Sequence, residues 1–168
     1  MEIIVGNLCS LLAMGTDVVS SSRKTAKGVL LVQCVSQLIY AIGGIILKGY
    51  SATVQNLVSI LRNIAAIKEE HSKIVEWGLI GLGVVLGIIF NNRGMVGLLP
   101  VLANLEYSFA VFRFQNNEVA LKIAFLVCNA MFAVFNIVIL NFVGACANAV
   151  VFTMTVVFLL KNAKTKNN

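Results

Sequence analysis

The chain has one histidine, one proline and very little charge. Charged residues fill 12% of its 168 positions, whereas 59% are hydrophobic and the mean hydropathy is +0.92. So little polar surface cannot cover the core that so much apolar material would form, and this excludes an ordinary water-soluble domain. The single histidine, His71, lies in a polar stretch. No serine, cysteine or carboxylate pair accompanies it at a spacing that would put a nucleophile beside a base, so an enzyme is not expected. Four cysteines, Cys9, Cys34, Cys128 and Cys146, fall one at a time within apolar segments. That spacing excludes a disulfide framework and leaves no metal set, so no metal or cofactor is expected and the thiols read as free and buried.

What is present is a series of apolar runs separated by short polar gaps. The first run, Ile3–Ser20, contains Asn7 and, near its far end, Asp17. Met1-Glu2 before it carries no basic n-region, so the run is expected to stay as an anchor and not to leave as a signal peptide. Further runs cover Gly28–Leu47, Tyr50–Ile67, Glu76–Phe90, Met95–Phe112, Val119–Leu140 and Asn141–Leu160. Several are near the lower length for crossing about 30 Å of hydrocarbon, and the set predicts an all-α integral membrane protein of seven transmembrane helices. Gly83 and Gly87 in the fourth run form a small-xxx-small pair. The pair permits close helix packing within the chain or, as the alternative, a homodimer seam.

The net charge of +6 would suit a nucleic-acid partner only if the basic residues formed a face. They do not. Placing the N-terminus outside puts Arg23, Lys24, Lys27, Arg62, Lys68, Lys73, Arg113, Lys122, Lys161, Lys164 and Lys166 on the cytoplasmic side, leaving only Lys48 and Arg93 outside. This split follows the positive-inside rule, excludes nucleic acid as the partner, and predicts a multi-pass membrane protein with its N-terminus outside and its C-terminus in the cytoplasm.

The polar stretch Lys68–Lys73 divides the chain into halves. Residues 1–68 read as a first three-helix unit and 69–92 as a linker with its own helix; 93–160 read as a second unit and 161–168 as a basic tail. Tyr50–Asn56 laid on Phe142–Asn148 brings Asn56 onto Asn148, and Lys27 laid on Lys122 brings Gln37 onto Phe132 and Tyr40 onto Phe135. A shorter turn in the second half is needed to hold both alignments. With one helix between them, the halves are parallel repeats in a 3+1+3 arrangement, a layout in which solute binds at the repeat interface.

The short three-helix units, the basic first loop, the Gly49-Tyr50 turn and the asparagine beyond it resemble the SWEET and SemiSWEET carriers of the PQ-loop group. Over most of the chain the sequence is similar to bacterial inner-membrane proteins of the YgjV type. That likeness rests on Gly6 and Gly15, on Ser59–Arg62, and on Leu98-Leu99-Pro100-Val101. The SWEET resemblance implies a sugar-like solute held by Asn56 and Asn148 with Gln37 and Phe132. The chain departs from that pattern in having only Pro100 where such carriers use prolines in both units, and in lacking the Pro-Gln pair.

An amide in hydrocarbon must find a partner or line a wet cavity. Asn56, Asn148 and Gln37 are therefore either interhelical glue or the walls of a site. Phe132 is either a stacking platform or filler. Glu106, about two turns inside the Arg113 end of its run, is a gate or coupling carboxylate, expected to pair with Arg62 or Arg113 or to face a cytoplasmic vestibule. Asp17 is an interfacial residue or cap with a possible coupling role. The expected function is carriage of a small neutral polar solute by alternating access. The alternative is a non-transporting scaffold or partner-binding subunit, in which the same amides only lock helices.

Overall fold

The computed structural model describes residues 1–21, 26–68, 72–114 and 118–166. Arg23 and Lys24 of the basic first loop, and His71 of the linker, lie outside the described residues. The described chain is all-helical, with seven α-helices: α1 (Glu2–Ser21), α2 (Ala26–Ile46), α3 (Tyr50–Ile67), α4 (Lys73–Ile89), α5 (Leu99–Phe114), α6 (Glu118–Val138) and α7 (Phe142–Lys166). One 3-10 turn, Val96–Leu98, leads into α5. Pro100 sits in the first turn of α5, where a missing N–H breaks no helical hydrogen bond. Among the described residues, no helix is long and apolar enough to cross a membrane. The reason is visible in α3, whose 18 residues include Gln55, Asn56, Arg62 and Asn63.

Those polar side chains are turned inward. Among the described residues the buried set includes Ser36, Ser51, Gln55, Ser59, Asn63, Asn104, Ser108 and Asn129, and its apolar members are mostly alanines. Large apolar side chains face out instead, Ile74 at 84% exposed and Ile4 at 74% among them. A protein folded by water would show the reverse distribution.

Packing neighbours run α1–α2–α3–α5–α6–α7 and back to α1, so six helices close a ring. Helix α4 stands outside that ring, wedged against α3 and α5. Gly83 and Gly87 explain the wedge: a Cβ on Gly87 would lie 2.5 Å from Gln55 Nε2 and 2.6 Å from Val101 Cγ2. Both glycines are buried against α3 and α5 of their own chain, so the homodimer seam expected as an alternative at this face is already occupied.

The α2/α3 and α6/α7 turns have one backbone design. In the first, Lys48 N–H donates to Ile45 O and Gly49 N–H to Gly44 O. In the second, Leu140 N–H donates to Ile137 O and Asn141 N–H to Asn136 O. These are helix ends closed by a left-handed residue, here Lys48 (φ 56°) and Leu140 (φ 61°). A β-carbon at that φ costs about 1–2 kcal/mol, so both turns need outside support.

Each turn receives it from the other half. Asn7 of α1 donates to Leu140 O at 2.8 Å and accepts from Val143 N–H at 2.8 Å. Asn92, ahead of α5, donates to Lys48 O at 2.8 Å, and Arg93 reaches Lys48 O and Leu47 O. Lys48 also pairs with Glu2 at 3.5 Å, so both turns, the chain start and the α4/α5 connection share one end of the ring. Between the turns, Leu47, Ala52, Phe135 and Ile139 form an apolar plug, with Val96, Leu99 and Phe132 packed against it.

Because the turns are equal in length, the shorter second turn expected from the alignment does not exist. Counting back from Lys48 and Leu140 places Gln37 opposite Asn129, and Tyr40 opposite Phe132. The earlier pairing of Gln37 with Phe132 was out of step by one helical turn.

Candidate functional site

One polar constellation is built between helices by hydrogen bonds. It runs as a chain from α4 through α3 to α5. Gln55 Nε2 donates to Gly83 O at 2.9 Å, and Asn104 Nδ2 donates to Gln55 Oε1 at 2.7 Å. One terminal nitrogen of Arg62 donates to Asn104 Oδ1 at 3.2 Å and to Ser108 Oγ at 3.0 Å. The Arg62 guanidinium carbon stands 5.8 Å from the Tyr107 ring centroid, within cation–π range. Residues 55 and 62 are seven apart on α3, and 104 and 108 four apart on α5, so each set shares one helix face. Packing α3 on α5 brings these two polar faces together.

Among the described residues no hydrogen bond joins the expected solute residues to one another. Asn56 is half-buried and falls on the α3 face that carries buried Ala52, Ser59 and Asn63, opposite exposed Leu57 and Leu61. Asn148 is half-buried on the α7 face of buried Gly144 and Ala145, opposite exposed Cys146 and Val150. Helices α3 and α7 share no packed interface. Among the described residues neither amide makes a hydrogen bond, and neither is a sealed, unsatisfied group. Gln37 is half-buried on α2, with a buried Oε1 that has no partner. Phe132 lies half-buried against the plug.

Asp17 is not a cap. It lies inside α1, half-buried, with Ser36 and Tyr40 of α2 near its carboxyl. Arg113 is exposed in the last turn of α5.

Glu106 departs from expectation. It pairs with neither Arg62 nor Arg113 among the described residues, and its buried Oε2 has no hydrogen-bond partner. It lines an open groove of about 790 Å³ on the outer side of α4, α5 and α6, with Trp77, Leu102, Phe109 and Ile123 among its apolar neighbours. The cause is azimuth. Two residues along a helix turn a side chain by about 200°, so Asn104 on the α3 side sends Glu106 to the opposite flank.

Sequence reasoning gave no role to Gln55, Asn104 and Ser108 together, and none to Asn7 or Asn92. The i, i+7 and i, i+4 spacing of polar residues on α3 and α5 was the available signal for the first group. For the clamping asparagines there was no signal, because their partners are carbonyls of distant turns. Among the described residues no group of three or more His, Cys, Asp or Glu could hold a metal ion.

Comparison with known proteins adds one match. A family model described as bacterial inner membrane protein matches residues 4–166. No curated protein and no solved structure matches the chain.

Proposed function

The chain belongs to the Imp-YgjV family of bacterial inner membrane proteins, and from that premise we propose that it carries a small polar solute by alternating access. In this reading the helices enter the bilayer as one bundle, each hiding its polar side chains among the others. The outward set of large apolar residues supports that embedding, since such a surface suits acyl chains. The N-terminus lies outside and the C-terminus in the cytoplasm. The segregation of charge supports this orientation: Lys48 and Arg93 share the plug end, while Lys73 opens α4 and Arg113 closes α5 at the other.

The SWEET-like arrangement of two parallel three-helix units is part of the proposal. It draws support from the matched turns 92 residues apart, from Lys48 to Leu140, and from the reciprocal clamps of Asn7 and Asn92. A two-fold axis along the helices would relate α1–α2–α3 to α5–α6–α7, and would carry the α3–α5 interface onto the α7–α1 interface.

One observation carries the functional reading. Asn56 and Asn148 both face inward, and neither donates or accepts a hydrogen bond among the described residues. If the amides were only glue, they would be spent on neighbouring helices, as Gln55 and Asn104 are. Unspent carboxamides one turn below an apolar plug are suited to replace water around a solute, supplying donors and acceptors without a charge's desolvation cost. Gln37 and Asn129 stand at matching places on α2 and α6, and Phe132 gives the plug its inner surface. In this reading the plug is the barrier at the outer end.

The test is uptake by the purified chain in liposomes, over a panel of neutral and charged small metabolites. Asn56→Ala and Asn148→Ala should each lower the initial rate at least tenfold while the thermal unfolding midpoint stays within about 2 °C of the parent. If both variants instead lose stability and no solute moves, the chain is a scaffold whose amides hold helices. A reporter fused after Asn168 should read as cytoplasmic and one after Arg93 as external. If both report the same side, the orientation falls.

A further inference from the structure

Arg62 has no use in a site built only from amides, and its surroundings are peculiar for a cation. Its contacts are the Asn104 carboxamide oxygen, the Ser108 hydroxyl and the Tyr107 ring, none of them an anion. Among the described residues it makes no ion pair. Among the described residues Glu106 faces the outer groove and Asp17 lies inside α1 beside α2, so neither pairs with it. An uncompensated guanidinium within a bundle is costly unless something neutralises it.

The way Arg62 is held leaves room for that partner. Gly83 O fixes Gln55, Gln55 fixes Asn104, and Asn104 must then turn its Oδ1 toward Arg62. Both fixed bonds use one terminal nitrogen. Nε and the other terminal nitrogen make no hydrogen bond, yet neither is a sealed, unsatisfied group, so that edge borders open space. Arg62 is half-buried, so this edge is within reach of a ligand beside α3 and α5. A guanidinium offering its Nε edge forms two parallel hydrogen bonds with a carboxylate or phosphate.

We infer that Arg62 binds the anionic group of the carried solute, so that the solute is a small organic anion, a carboxylate or a phosphate ester. The word solute rests on the carrier reading; the anion site does not. Arg62 lies six residues beyond Asn56, a rise of about 9 Å along α3, toward the end away from the plug. Six residues also turn the side chain by about 240°, so the anion lies on the Gln55 flank of α3 and not on the Asn56 flank. A phosphate of a lipid headgroup offers the same chemistry, and the experiment separates the two sources.

The purified full chain in neutral detergent is titrated with gluconate, glucose 6-phosphate and glucose at constant ionic strength, following thermal unfolding and calorimetric heat. At least one anion should bind at least tenfold tighter than glucose. Arg62→Gln should weaken that binding at least tenfold, and Arg62→Lys should recover part of it. Should Arg62→Gln fail to fold, Ser108→Asp serves instead. It places a carboxylate against Arg62, and should abolish anion binding while raising the unfolding midpoint. Anion binding that is absent, or equal in parent and variants, overturns the inference. So does stabilisation by phosphatidylglycerol nanodiscs alone, with no soluble anion effective, which makes Arg62 a headgroup anchor. Anion binding through Arg62 without uptake in liposomes upholds the site and removes the carrier reading. Uptake of neutral solutes without anion binding does the opposite.

Discussion

Phe135→Ala should destabilise the protein by about 3 kcal/mol, measured by reversible unfolding in mixed micelles. Phe135 is fully buried, and its ring edge lies under Gly49, where a Cβ would stand 3.3 Å from it. With Leu47, Ala52 and Ile139 it fills the space between the α2/α3 and α6/α7 turns. Gly49 admits the ring because it brings no side chain of its own to that point. Truncation leaves a hole between two turns whose left-handed residues already hold strain, so the walls cannot collapse without disturbing them. If unfolded helices remain in lipid, the water-transfer part of the cost shrinks. The lost dispersion contacts and the cavity remain. Phe142→Ala is the matched control, since that ring is 54% exposed on the outer surface and should cost less than about 1 kcal/mol. Equal losses at the two positions would mean that the plug is not where the chain closes. Under the carrier reading Phe135→Ala should also raise passive leak of small solutes across liposomes, because the plug is the outer barrier.

The helices themselves were legible in the sequence, and their mutual arrangement was not. Tyr50–Ile67 was expected as one segment and is α3 to the residue, since Lys48-Gly49 before it and the charged stretch after it bound an unbroken apolar period. The fifth run was expected to start at Met95, and instead a 3-10 turn precedes α5. Register across the turns was misread because left-handed residues were invisible: Lys48 and Leu140 stand where glycine or asparagine would have announced a helix end. Depth along a helix can be counted. Azimuth cannot be used until neighbours are known. Glu106 was given Arg62 or Arg113 as a partner and has neither, because nothing in the sequence says that α4 wedges against α3 and α5. For the same reason Gln55 stood unread beside Asn56. One residue turns the side chain by about 100°, enough to send Gln55 to Gly83 and Asn104 while Asn56 faces the interior.

That wedge gives the second large effect, because a single side chain at Gly87 should separate α4 from the bundle. A Cβ there would overlap both Gln55 Nε2, at 2.5 Å, and Val101 Cγ2, at 2.6 Å. Gln55 cannot simply swing aside, since its amide is bonded at both ends, to Gly83 O and to Asn104 Nδ2. Gly87→Val therefore adds overpacking, at about 1–3 kcal/mol, to the loss of a buried hydrogen bond and the orphaning of its partners, at about 1–3 kcal/mol. A total near 3 kcal/mol is expected, read as a fall in the unfolding midpoint of the purified protein. Gly81 supplies the contrast within the same helix. A Cβ there meets nothing within 4 Å, so Gly81→Ala should be neutral or gain up to about 1 kcal/mol from helix propensity alone. Combining Gly87→Ala with Gln55→Ala tests the contact itself. The smaller side chain at 55 makes room for the larger one at 87, so the double variant should be more stable than the two single losses predict, by about 1 kcal/mol of coupling. Additive losses would show that Gly87 does not face Gln55. The same variants bear on Arg62, whose orientation depends on Asn104 and hence on Gln55. Gln55→Ala should weaken anion binding even though residue 55 touches no anion. An unchanged affinity in that variant would mean that Ser108 and Tyr107 alone suffice to hold the guanidinium.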